Sequence, residues 1–134
     1  MILRRAAALA LAAALALSGC RTPEFEVDRA TIFFAENSAD LDAIAEDALA
    51  KLAQGLRERP ANDIAIEGYS EAGGPAGEGQ VPLSERRAVA VARRLAAHGV
   101  PPEIMRTMGM GAVTPLALPL EGRRVDVTVQ RRAS

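Results

Sequence analysis

The hydrophobic pattern of this chain switches repeatedly between a period of two and a period of about 3.6 residues, and that succession restricts the fold more than any single motif does. Residues 30–35, Ala-Thr-Ile-Phe-Phe-Ala, are β-branched and aromatic and predict a strand. Asn37-Ser38 punctuates the chain, and Ser38 followed by Asp40 and Asp42 reads as a helix start capped by the serine. Leu41, Ile44, Ala45, Ala48, Leu49, Leu52, Ala53 and Leu56 then recur at three- and four-residue steps, the inward face of an amphipathic helix. Arg57, Arg59 and Pro60 close it. Residues 63–68 alternate around Ile64 and Ile66, a second strand. Glycines and prolines crowd the loop between Tyr69 and Pro82. Ser84 begins a second helix that turns Ala88, Val91, Ala92 and Leu95 inward and runs to about His98, with Gly99 as its C′ residue. Residues 104–110 predict a third strand, and Val125, Val127 and Val129 alternate with polar residues in a fourth, 124–130. The order β-α-β-α-β-β belongs to an α+β two-layer sandwich, helices packed on one face of a sheet.

Ahead of these elements stands a different kind of segment. Arg4 and Arg5 precede an unbroken apolar run, Ala6 to Leu17. That run rises about 18 Å as a helix, too little for the roughly 30 Å of a bilayer's hydrocarbon. It suits the apolar core of an export signal. Leu17-Ser18-Gly19-Cys20 resembles the lipobox of bacterial lipoproteins. The resemblance implies cleavage before Cys20 and acyl chains, palmitate among them, on the cysteine. Arg21 at the next position implies sorting to the outer membrane, with the domain facing the periplasm. The expected organisation is a signal peptide over residues 1–19, a lipidated tether over 20–29, a domain over 30–130 and a tail over 131–134.

Composition narrows the function classes. Lys+Arg total 16 against 17 Asp+Glu, and loss of Arg4 and Arg5 makes the mature chain more acidic, which argues against nucleic acid as a partner. There is no Trp and one Tyr, Tyr69, so bases or sugars have little to stack on. Cys20 is the only cysteine and His98 the only histidine, which leaves no disulfide, no metal-ligand cluster and little for nucleophilic catalysis. No metal, no cofactor and no enzymatic activity are expected. His98 reads as a residue at a helix C-terminus, and Met105, Met108 and Met110 as core filling.

The motifs in this order resemble those of the OmpA-like, peptidoglycan-associated domain over roughly residues 30–130. Phe33 and Asn37-Ser38-Ala39-Asp40-Leu41 match its first strand and helix, and Gly68-Tyr69-Ser70-Glu71 its second strand end. Leu83-Ser84-Glu85-Arg86-Arg87-Ala88 matches its helix-start motif, Gly109-Met110-Gly111 with Pro115 its third segment, and Gly122-Arg123-Arg124-Val125-Asp126 its ending. Glu71 stands where the family has aspartate, and Gln80 and Gly122 where it has asparagine. The resemblance implies a mixed sheet and a module that holds peptidoglycan non-covalently through the diaminopimelate of its peptide stem, linking outer membrane to wall.

The free end of diaminopimelate carries an ammonium beside a carboxylate. By the same resemblance Glu71 takes the ammonium and Arg87 the carboxylate, for which a planar guanidinium fork is well shaped. Arg86 and Arg87 in the first turn of a helix also mark a place where an anion is welcome. Ser70 and Gln80 are candidates to orient the loop or touch the stem, and Arg123 lines the same pocket or makes a structural ion pair. The alternative is a degenerate OmpA-like domain acting as a protein-interaction module of an envelope complex, with other envelope proteins as partners. A binder needs Glu71 and Arg87 to converge on an open pocket; an interaction module needs an exposed apolar patch.

Overall fold

The computed structural model describes residues 25–71, 82–112 and 119–132. Strand β1 (Phe25–Phe33) leads to helix α1 (Ala43–Glu58), strand β2 (Asp63–Ser70) to helix α2 (Leu83–Ala97), and strands β3 (Met105–Ala112) and β4 (Arg124–Arg132) complete the sheet. Its order is β1-β4-β2-β3. β4 runs antiparallel to both neighbours, while β2 and β3 are parallel. The order read from the period switches is the observed one. The layers too are as expected, with two helices on one face of a mixed sheet.

One alternating set of strand residues meets the helices. Ile64 and Ile66 of β2 face Val129 and Val127 of β4, and Ile32 of β1 faces Val125. From the helices come Ala45, Leu49, Ala53 and Leu56, and opposite them Ala88, Val91 and Leu95, all buried. Val100 adds to this core after Gly99, whose φ of 92° ends α2 as its C′ position requires.

Several boundaries differ from those the sequence predicts. Ser38 does not cap α1; its Oγ accepts from the Asp40 N–H at 3.0 Å within a turn that Asn37, at φ 54°, makes possible. The cap is Asp42, whose carboxylate accepts the Ala45 N–H at 2.8 Å. Leu41 therefore reaches the core from ahead of the helix, and the helical face rotates to Ala45, Leu49, Ala53 and Leu56. Ile44, 81% exposed, and Ala48 are turned out to solvent. Ser84 likewise is not a cap: α2 starts from Pro82, and Ser84 is buried in its first turn. β1 begins at Phe25 and pairs through to Arg132, so residues 25–29 belong to the sheet rather than to a tether, and Arg131 and Arg132 to β4 rather than to a tail. An ion pair between Arg131 and Asp28, and a bond from Arg131 Nε to the Arg59 carbonyl at 3.0 Å, secure that extension.

β3 departs most from expectation. Met105 is partly buried against the core, but Met108 and Met110 stand about half exposed on the face the helices leave open. The reason is Gly109. It pairs with Gly68, and the two glycines form a saddle for the first turn of α2. A Cβ on Gly68 would lie 1.9 Å from the Ser84 carbonyl oxygen, and one on Gly109 would lie 2.9 Å from the Glu85 nitrogen. With Gly109 turned to the helix, its even-numbered neighbours must face away.

Candidate functional site

The glycine saddle brings the head of α2 down onto the end of the sheet where β2 and β3 finish and β4 begins. Four sequence-predicted residues meet there: Ser70 and Glu71 at the exit of β2, Arg87 one turn into α2, and Arg123 just before β4. Cys20 and Gln80 lie outside the described residues.

Arg87 is fully buried. Helical side chains lean toward their own N-terminus, and this one reaches back over the strand ends. Its Nε donates to the Ser38 carbonyl at 2.7 Å and its Nη2 to the Ala35 carbonyl at 3.0 Å. Its Nη1 donates to two carbonyls, those of Tyr69 at 3.0 Å and Gly122 at 2.9 Å. The guanidinium also lies 5.4 Å from the centroid of the Phe34 ring. Four of its five N–H groups are thus spent on backbone oxygens from three separate segments, and one Nη2 hydrogen remains. Burial pushes the Arg87 pKa down, with Arg123 and Arg86 adding to that, while the Glu71 charge opposes it. A guanidinium starts so high that it stays charged. The fork expected to meet a carboxylate is therefore turned inward, against the chain's own backbone.

The accessible charges are those of Glu71 and Arg123. Arg123 Nε donates to Glu71 Oε1 at 2.5 Å, and the side chains are 24% and 26% exposed respectively. That bond, more than any other influence, raises the Arg123 pKa. Glu36 stands 3.8 Å from Arg123 Nη2. Gly122 lets the two segments come this close: a Cβ there would sit 3.0 Å from Glu71 Cγ and 3.1 Å from the Ser70 carbonyl oxygen. Arg124, the next residue, turns to the open face of the sheet and stacks 4.3 Å from the centroid of Tyr69. Adjacent arginines thus serve opposite sides of β4.

Sequence reasoning missed Glu36 and the carbonyl cage. The Asn37-Ser38 turn was a signal for the cage, because it aims the Ala35 and Ser38 carbonyls at one point, but backbone acceptors leave no residue-type trace. Among the described residues no group of three or more His, Cys, Asp or Glu side chains could hold a metal ion. The arrangement offers a shallow, accessible anion and cation side by side over a buried fixed charge, a chemistry of recognition.

A model of the OmpA family matches residues 33–123. A peptidoglycan-associated lipoprotein of Brucella melitensis is 39% identical over 87 residues, covering 65% of this chain and 51% of that protein. One from Rhizobium meliloti is 37% identical over 116 residues, covering 84% and 64%. The chain thus spans about half the length of the Brucella relative. Among solved structures, the peptidoglycan-associated lipoprotein from Burkholderia pseudomallei superposes with a TM-score of 0.62 at 26% identity, over 75% of this chain and 89% of that one.

Proposed function

The chain belongs to the OmpA family, and from that premise we propose that it is an envelope lipoprotein that holds peptidoglycan non-covalently by the diaminopimelate of a peptide stem. In this reading lipid on Cys20 fastens it to the outer membrane, and the folded domain faces the periplasm and ties membrane to wall. The names of the Brucella and Rhizobium relatives support the wall as target. The observation that carries the reading is the meeting of Glu71 with the charges of Arg87 and Arg123 at one end of the sheet. Glu71 takes the ammonium of the stem, and the field of the two guanidiniums favours the neighbouring carboxylate. Charge-assisted bonds of this kind contribute about 1.5–3 kcal/mol each, so two suffice for a weak, reversible grip that many copies make firm. Ser70 borders the pair at the end of β2, and Gln80 belongs to the same loop in sequence.

One observation favours a second reading, a protein-interaction module of an envelope complex. Phe33, Met108 and Met110 are each about half exposed on strands of the sheet, away from the charged end. Sedimentation with purified sacculi separates the two. Glu71→Gln removes the anion and keeps the shape, and is expected to leave most of the protein in the supernatant. Met108→Ser with Phe33→Ser is expected to sediment as the native domain does. Equal sedimentation of native protein and Glu71→Gln would remove the wall-binding site argued above.

A further inference from the structure

The two arginines of the site differ in what they have left to give. Arg87 would have to abandon backbone carbonyls to offer a fork to any ligand. Arg123 has committed only Nε, to Glu71, and its 3.8 Å approach to Glu36 is too long for a hydrogen bond. Among the described residues both of its Nη groups therefore keep donors for another oxygen. Glu71 is complementary: Oε1 is bonded to Arg123, and Oε2 has no partner among the described residues. The accessible pair is thus a cation and an anion in contact, in the reverse order to the ammonium and carboxylate of a zwitterion. A zwitterion laid against it closes a ring of four alternating charges without breaking the Arg123–Glu71 bond.

Arg87 fits another task. Its Nη1 alone bridges the carbonyls of Tyr69 and Gly122. Tyr69 lies two residues before Glu71, and Gly122 immediately before Arg123. A single buried nitrogen therefore sets the spacing of the two segments that carry the accessible pair.

We infer that Arg123 is the specificity-determining residue that takes the carboxylate of the stem, with Glu71 on the ammonium, and that Arg87 is a positioning residue beneath them. This rests on the peptidoglycan reading and assigns its contacts. A ligand that keeps the ammonium and lacks the carboxylate then loses the Arg123 contact and nothing else.

Two soluble stem peptides, one with diaminopimelate and one with lysine in its place, provide that comparison by isothermal titration calorimetry. The native protein is expected to prefer the diaminopimelate peptide by about tenfold or more, the equivalent of one charge-assisted bond. In Arg123→Gln that preference disappears, while the lysine peptide binds about as well as before. Arg87→Lys keeps the charge and loses the fork; it weakens both peptides together and retains the preference, in protein shown by its thermal transition to be folded. Should Arg87→Lys not fold, the Arg123→Gln arm decides alone. A preference that survives in Arg123→Gln overturns the assignment and leaves wall binding intact, the more so if Arg87→Lys abolishes it. Native protein that binds neither peptide and does not sediment with sacculi overturns both.

Discussion

A buried guanidinium with no carboxylate in hydrogen-bond contact is held by dipoles, and Arg87 has four carbonyl oxygens around it. Truncation leaves those acceptors dry and unpaired. Arg87→Met is therefore expected to cost about 3–5 kcal/mol of stability, the usual result of removing one side of a buried charged contact. Arg86→Met, at its exposed neighbour, should stay within about 0.5 kcal/mol. Urea unfolding of both variants gives the comparison, and equal midpoints would show that the cage does not hold the fold. The difference between Arg86 and Arg87 was not legible in Leu83-Ser84-Glu85-Arg86-Arg87-Ala88. Two arginines in sequence look alike until the carbonyls of four distant residues close around one of them. Tyr69 supplies a second residue-scale test. Burial first, then the carboxylates of Glu67 and Asp126, push its phenol above the ordinary value of about 10. The neutral form is thus favoured in the fold. The stabilisation is complete below the unfolded phenol's pKa and is lost as pH rises from there through the folded one. With no Trp and one Tyr in the chain, phenolate absorbance reads this group directly. Its midpoint should lie above about 10 in the native state and fall toward that value in Glu67→Gln, which also removes the 3.3 Å bond from the Tyr69 hydroxyl.

At the scale of elements, the site depends on how closely α2 approaches the sheet. Gly68→Ala puts a methyl 1.9 Å from the Ser84 carbonyl oxygen, against backbone that cannot rotate away. The head of α2 must lift, taking Arg87 with it. The expected cost is at the upper end of the about 1–3 kcal/mol typical of overpacking, with loss of sacculus binding beyond what stability explains. Gly55→Ala, in α1, meets nothing within 4 Å and should stabilise by up to about 1 kcal/mol through helix propensity. Thermal melts of the pair test the contrast, and similar shifts would mean that α2 moves freely on its saddle. The elements were largely legible. Val125, Val127 and Val129 could alternate only as a half-buried strand, and Ala88, Val91 and Leu95 only as a helix face. What the sequence did not reveal was phase and cap. Ser38 and Asp42 are both good caps, and only the packing of Leu41 ahead of the helix selects Asp42. The methionines of β3 misled for a related reason: apolar residues read as core, but Gly109 had already claimed the inner face for the approach of α2.

For the molecule as a whole, the decisive feature is polarity. β1 has nine residues, so at about 3.3 Å each it spans about 30 Å between Phe25 at one pole and Phe33 at the other. The carbonyl cage and the Glu71–Arg123 pair belong to the Phe33 pole. Cys20 precedes Phe25 by five positions, a reach of at most about 18 Å. A lipid on Cys20 would accordingly hold the domain by the pole opposite to its site, with the charged pair directed away from the membrane. Two attachments at opposite poles should fail independently. Cys20→Ala is expected to move the protein from the membrane fraction to the soluble fraction of the cell, while the purified variant sediments with sacculi as before. Glu71→Gln should do the reverse, staying with membranes and releasing the wall. Fractionation and sacculus sedimentation on the same two variants read both outcomes. If Cys20→Ala also lost the wall, the anchor and the site would have to act as one, and the length of β1 argues that they cannot.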